Sequence, residues 1–212
     1  MRLTQGKLLR QDDWSAWQAS EFLQLDQYDA QKMFGPLVAA TSDNTVFILV
    51  WSYGVKVVDG CKKARCTCDG SLRLGQVCVL DETYANCIDQ TSARLFYGIA
   101  AAENLIVYGA DVSNAFAEAP PPKQGFFIRP DNAFLAWWTD HLKCPPIPQG
   151  HVIPILSAMQ GHPESPWLWE KHADAILRDI GLNLTFHEPC LYTSTINNNR
   201  VIIMRQVDDF AQ

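Results

Sequence analysis

The sequence predicts an α+β protein, and three observations carry that reading. Runs rich in β-branched and aromatic residues occur at 46–53, 191–195 and 201–204; apolar residues recur at helical spacing over 12–34 and 165–181; glycines and prolines separate the two kinds of segment. The chain of 212 residues is 48% apolar and 19% charged, with seven tryptophans and ten phenylalanines, which excludes a disordered or low-complexity protein.

Taken in order, Trp14, Trp17, Phe22, Leu25, Tyr28 and Phe34 predict a helix ending before Gly35-Pro36, because proline keeps its predecessor out of the helical region. Strands are expected at 46–53 and 55–58 with a turn at Asp59-Gly60, then an extended pair over 61–79 broken at Asp69-Gly70. Asp89 or Thr91 caps a helix running to Glu103, with Leu95, Phe96, Ile99 and Ala102 on one face. Residues 105–108 read as a strand delivering Asp111 at its end, 114–118 as a helical turn stopped by three prolines, and 126–128 as a short strand. The prolines of 130–150 predict irregular backbone before a strand at 152–156. Ser165-Pro166 opens a helix that Gly181 stops, with Trp169, Ala173, Ile176 and Ile180 along one side. The strands at 191–195 and 201–204 are joined through Asn197-Asn198-Asn199.

A formal charge of −6 argues against a general nucleic-acid coating protein, yet Lys56, Lys62, Lys63, Arg65 and Arg73 outnumber Asp59 and Asp69 in one stretch and leave room for a local basic groove. The longest apolar run, 46–51, is too short to span a membrane, and the opening residues are polar, so a cytoplasmic place is expected, with a virus-like particle or the nucleus as alternatives. Seven cysteines is an odd number. Cys66 and Cys68 are closer than a zinc knuckle requires, so free or buried thiols are expected rather than a zinc site.

Two acidic signals follow β-runs: Asp111 after 105–108, and Asp208-Asp209 after 201–204. Carboxylates gathered at one sheet edge are tolerated chiefly when divalent cations neutralise them, and magnesium is the natural guest. Taken singly, Asp111 also fits a cap and Asp208-Asp209 a solvated tail.

Asp111-Val112-Ser113-Asn114-Ala115-Phe116 resembles the first catalytic motif of reverse transcriptases from copia-type LTR retrotransposons, and Gln206-Val207-Asp208-Asp209 resembles their Tyr-Val-Asp-Asp motif. Trp51, Lys62-Lys63-Ala64-Arg65, Glu82-Thr83-Tyr84-Ala85, Thr91-Ser92-Ala93-Arg94 and Pro163-Glu164-Ser165-Pro166-Trp167-Leu168-Trp169-Glu170 follow the family's order, and the similarity covers roughly residues 44–212. The resemblance implies a right-hand polymerase: an upstream helical extension over 1–43, a fingers-like part over 44–104, and over 105–212 a partial palm, with an antiparallel sheet, packed helices and an irregular insertion near 130–150. It implies RNA-directed DNA polymerisation with two Mg2+ ions, Mn2+ as a substitute, held by Asp111, Asp208, Asp209 and the carbonyl of Val112. Phe116 would wall the sugar, and Gln160 would touch the incoming nucleotide. Lys63 and Arg65 would grip the triphosphate, with the choice between them open. Expected partners are an RNA or DNA template with its primer, deoxynucleoside triphosphates, and other regions of a retroelement polyprotein.

The sequence also departs from that family. Gln206 replaces an aromatic residue, Trp167 stands where Arg is common, Gln160 where Tyr is usual, and Cys66 and Cys68 where apolar or small residues are. Only Phe210-Ala211-Gln212 follow the acidic pair, so the expectation is a polymerase fragment lacking a thumb and inactive by itself. The alternatives are a non-enzymatic remnant that binds nucleic acid or protein, and an unrelated two-metal hydrolase, for which the five histidines offer no metal-spaced pair.

Overall fold

A computed structural model describes residues 4–71, 80 and 82–212. After a short α1 (Gln5–Leu8), the first apolar stripe forms α2 (Trp14–Ala30), which buries Trp17, Leu25 and Tyr28 together with Glu21 and Gln24. The helix stops four residues before the expected limit. Lys32 takes a positive φ of 55°, and this reversal lets Met33 and Phe34 reach strand β6 (His151–Ile155).

Strand β1 (Val38–Ala39) precedes β2 (Val46–Val55), and β3 (Lys62–Cys68) pairs back on β2 antiparallel. The separate strand expected at 55–58 does not form. Gly60, at φ 68°, donates its N–H to Lys56 O at 2.9 Å and closes a turn that leaves Val57 and Val58 fully exposed. Of the extended pair expected over 61–79, β3 supplies the first half and 72–79 lie outside the described residues.

Helix α3 (Gln90–Ala102) begins where Asp89 accepts from the N–H groups of Thr91 and Ser92, as the capping rule predicts. Phe96 and Ala100 are its buried residues, whereas Leu95 is exposed. The next strand differs from expectation: 105–108 stay exposed and outside any strand, and β4 (Gly109–Asp111) contains Asp111 itself. Its position is set by the partner strand near the chain's last residues, since Tyr108 and Gln212 exchange backbone bonds of 2.9 and 3.0 Å and start the ladder.

Beyond α4 (Ala115–Glu118) and β5 (Phe126–Arg129), the stretch expected to be irregular holds α5 (Asn132–Ala136) and a π-helical turn (Trp137–His141). Asp131 caps α5 by accepting from Phe134 N at 2.9 Å, and it also accepts from the Trp51 indole at 2.8 Å. Its short polar side chain offsets what the surrounding prolines disfavour, and it lets Phe134 and Trp137 enter the core. Helix α6 (Ser165–Asp179) ends before Gly181 at φ 91°. Its buried row is Leu168, Trp169, Ala173 and Leu177, while Ile176 and Ile180 face outward.

Strands β7 (Asn183–Leu184), β8 (Leu191–Ile196), β9 (Asn199–Gln206) and β10 (Asp209–Ala211) complete the chain. Asn197 and Asn198, both at positive φ, form a two-residue turn between β8 and β9, so Asn199 opens the strand rather than belonging to the connection. Among the described residues the result is a mixed α/β architecture with two open five-stranded sheets. One has the order β1-β6-β5-β2-β3 with a single parallel pair, β2 against β5; the other, β4-β10-β9-β8-β7, is antiparallel throughout. The main core lies between α2, α5 and the first sheet, around Phe47, Phe126, Phe134 and Trp137. Removing a buried ring of this kind costs about 3–5 kcal/mol.

Candidate functional site

Alternation along β3 decides which side chains meet the core. Ala64, Cys66 and Cys68 are buried, while Lys63 and Arg65 project from the other face. Burial pushes the Cys66 thiol well above its ordinary value and that of Cys68 up to about 12. Both remain protonated core residues, as the free-thiol expectation had it.

The Asp208-Asp209 turn is held from two sides. Gln206 pairs with Asp209 across a two-residue turn, and β10, only three residues long, also pairs with β4 so that Asp209 stands directly opposite Asp111. Val112 N donates to Asp208 O at 3.0 Å and extends the contact by one residue. The hairpin therefore has a second strand, paired on both edges, despite the few residues that follow the acids.

Val207 sits in the turn at φ 58°, a conformation costly for a β-branched residue. Trp169 holds it there: the buried indole donates Nε1–H to Val207 O at 2.7 Å. Trp169→Phe keeps the ring packing but leaves that carbonyl without its partner. The expected loss is about 1–3 kcal/mol of unfolding free energy, read from denaturant midpoints. Two residues before the turn, Arg205 is 1% exposed and pairs with Glu170 of α6 at 3.4 Å. Glu170 also accepts from Asn86 N and Nδ2 at 2.8 and 2.7 Å, which ties β9, α6 and the segment before α3 together.

A cavity of about 330 Å3 opens between β3 and the Asp111 turn. Its walls bring together Asp111, Val112, Phe116, Gln160 and Asp208 with Lys63 and Arg65 of β3. Asp209, on β10, is exposed but does not line it. Phe116 is half-buried, with one side on the cavity and the other on the cluster formed by Leu168 and Trp169. Lys63 is held below its usual value, first by burial and then by Arg65 and Lys56, with Asp111 acting in the opposite sense. Lys62, by contrast, is committed to Asp13 at 2.6 Å and lies over the Trp17 ring.

Close backbone approach sets Gln160 in the wall. Cys68 N donates to Gln160 O at 2.9 Å, and Gly161, at φ 99°, leaves no room for a side chain: a Cβ there would lie 2.0 Å from Cys68 O. His162 follows, buried and stacked on Phe126 at 4.7 Å, with Nδ1 accepting from Glu164 N. Burial lowers its pKa to about 4. The unfolded imidazole takes its proton near pH 6.5 and the folded one near 4, so this group's contribution is complete above pH 6.5 and is lost as pH falls towards 4. The slope should stay below about 1.4 kcal/mol per pH unit. Denaturant midpoints measured from pH 7.5 to 4.5 should show less acid sensitivity in His162→Phe than in the wild type.

Asp111 and Asp208 offer oxygen ligands of the kind a hard divalent ion takes, and among the described residues no group of three or more His, Cys, Asp and Glu forms a complete cage. A small divalent ion such as magnesium commonly binds through one or two carboxylates with substrate phosphates filling the remaining positions.

The profile of the family described as Reverse transcriptase (RNA-dependent DNA polymerase) matches residues 34–211. The chain belongs to the reverse transcriptase family. By family this reverse transcriptase is an RNA-directed DNA polymerase, an activity that needs a nucleic-acid template and primer and that generically uses divalent metal ions. Comparison with curated proteins gives no match. No helix among the described residues is long and apolar enough to cross a membrane.

Sequence reasoning about this reverse transcriptase missed what α2 contributes. Ser20, Leu23, Gln24 and Gln27 line the same cavity, and the visible signal was glutamine beside the apolar stripe of Leu25 and Tyr28. Nothing local in the sequence marks Trp169 as the holder of the Val207 turn, and the position of Arg205 in a β-run gives no sign of a buried ion pair.

Proposed function

We propose that the cavity between β3 and the Asp111 turn is the deoxynucleoside triphosphate and primer-end site of a copia-type LTR retrotransposon reverse transcriptase. The observation that carries this reading is the convergence of Asp111, Phe116, Gln160 and Asp208 on one cavity faced by Lys63 and Arg65. The first sheet, which draws β5 and β6 from the 105–212 span expected as palm, acts with α2 as fingers, and the second with α3 and α6 as palm. Template, primer and the remaining regions of a retroelement polyprotein are the partners.

Asp111 and Asp208 hold the two divalent cations, Mg2+ or Mn2+, with Asp209 beside them and the carbonyl of Val112 as a further oxygen ligand. When bound, such ions supply a lowered pKa for the primer hydroxyl and charge stabilisation for the leaving pyrophosphate. Lys63 and Arg65 donate to triphosphate oxygens; Arg65 suits paired contacts and Lys63 acts as a point charge. Lys63 is lowered first by burial and then by Arg65 and Lys56, and an anion arriving between Lys63 and Arg65 relieves the second of these effects. Phe116 walls the sugar, and Gln160 orients the nucleotide.

The test is binding of magnesium-dATP and magnesium-ATP to the full chain by calorimetry. The wild type should prefer dATP, and Phe116→Val should shrink the preference by about tenfold, since a hydroxyl rejected by a bulky wall is accepted by an empty volume. Absence of magnesium-dependent dATP binding would sink the nucleotide-site reading. Salt-sensitive binding of RNA alone would favour a non-enzymatic nucleic-acid remnant, for which the basic face of β3 is the supporting observation.

A further inference from the structure

Asn114 connects the strand bearing Asp111 to the helix bearing Phe116, and it does so in the left-handed region, at φ 53° and ψ 40°. Asparagine tolerates this conformation better than most residues. As the residue before α4 it would ordinarily turn its side chain onto the helix's first N–H groups, yet it makes no such bond. Its side chain points to α2 instead. Gln24 Nε2 donates to Asn114 Oδ1 at 3.2 Å, and Asn114 Nδ2 donates to Gln27 Oε1 at 3.1 Å. A third glutamine, Gln31, donates to Glu118 Oε1 at 2.6 Å at the far end of α4.

The same helix is fastened to the opposite wall. Ser20 Oγ accepts from Ala64 N at 2.7 Å, Tyr28 OH donates to Cys66 O at 2.9 Å, and Asp13 pairs with Lys62 at 2.6 Å. Ala64 and Cys66 flank Arg65 on β3, and Ala64 follows Lys63. One rigid helix thus grips the strand that carries the cations and the turn that carries Asp111 and Phe116. Its length lies before residue 34, where the family match begins.

Resting on the nucleotide-site reading above, we propose that α2 is a working wall of that site, in which Gln24 and Gln27 are positioning residues. They act through Asn114 and fix the separation between the Lys63 and Arg65 face and the Asp111 to Phe116 turn. A triphosphate must reach cations on one side and carboxylate-held metal on the other, so this separation sets affinity. Groups bonded directly to a metal ligand typically change affinity about 10–100-fold when removed; Gln24 and Gln27 act one step further out, through Asn114, so the lower end of that range is expected.

The experiment measures magnesium-dATP affinity by calorimetry on the full chain for Gln27→Ala, Gln24→Ala with Gln27→Ala, Asn114→Gly, and all three together. Asp29→Ala, an exposed position of the same helix, serves as control. Glycine at 114 keeps the left-handed backbone while deleting the amide. Gln27 is exposed and alanine favours helix, so that variant keeps the fold even if the buried Gln24 change lowers stability. The glutamine pair should weaken binding about tenfold, and the triple variant should bind no worse than Asn114→Gly, because the three amides form one connected unit. Unchanged affinity in the pair, or losses that multiply in the triple variant, would overturn the α2 proposal while Asp111→Asn still abolishes binding. A wild type that binds no magnesium-dATP would overturn both this proposal and the nucleotide-site reading.

Discussion

Replacing Asp111 and Asp208 together by asparagine is expected to lower the affinity for magnesium-dATP by at least about a hundredfold, with the melting temperature unchanged or raised. The two carboxylates line one cavity and are linked through the Val112 to Asp208 backbone bond of 3.0 Å. Without a cation their like charges oppose each other; with one they attract it together. Asparagine keeps the shape and one carbonyl oxygen but removes both negative charges, so the ion loses its electrostatic reason to stay. Calorimetry with magnesium-dATP, repeated with manganese, reads the effect beside a thermal melt. Retention of wild-type affinity in a folded double variant would remove these residues from the metal site. The opposite signs expected for binding and stability distinguish a functional pair from a structural one, because a group serving the fold would lower the melting point when changed.

The parts of this site legible in the sequence were those written locally. A β-run and an acidic pair lie within a few residues of one another, so the strand leading to Asp208 and Asp209 followed from its own stretch, as did the Asp89 cap and the Gly181 stop, whereas the three-residue β10 that closes the hairpin did not. What escaped was set by distant partners. Strand β4 lies at 109–111 rather than 105–108 because its hydrogen-bonding partner is β10, near the other end of the chain. Within the 130–150 stretch, residues 132–141 are helical because Asp131 caps them and because Trp137 finds Asp26 of α2 for its indole N–H at 2.8 Å, while 142–150 stay irregular as their prolines predict. Arg205 of β9 tolerates burial because α6 brings Glu170 to it. Even the buried row of α6 is displaced from the expected one. Leu168 and Leu177 were chosen by the alanines of α4 and by Tyr192 of β8, which no periodicity along α6 itself could reveal.

Gly161→Ala is expected to be the most damaging single-methyl change near the site, and comparison with two other glycines explains why. At Gly181 the backbone is also left-handed, φ 91°, but a Cβ would meet nothing within 4 Å, so alanine there should cost only the backbone strain, about 1–2 kcal/mol. Gly70 has no left-handed φ, yet its Cβ would stand 2.3 Å from Gly161 O, a clash with backbone rather than with a movable side chain. Gly161 combines both faults, with φ 99° and a Cβ 2.0 Å from Cys68 O. Relief requires the Gln160 loop to part from β3, breaking the Cys68 N to Gln160 O bond. The expected destabilisation is about 3–5 kcal/mol, a fall of roughly 10 °C in melting temperature for a chain of this size. Binding should suffer too, since the same separation withdraws Gln160 from the cavity and moves it away from Lys63 and Arg65. Thermal melts of the three alanine variants should therefore rank Gly161 lowest, and equal melting of Gly161→Ala and Gly181→Ala would show that the loop yields without strain. If Gly161→Ala melts low but binds magnesium-dATP like the wild type at 10 °C, the contact serves the fold alone and Gln160 leaves the nucleotide site.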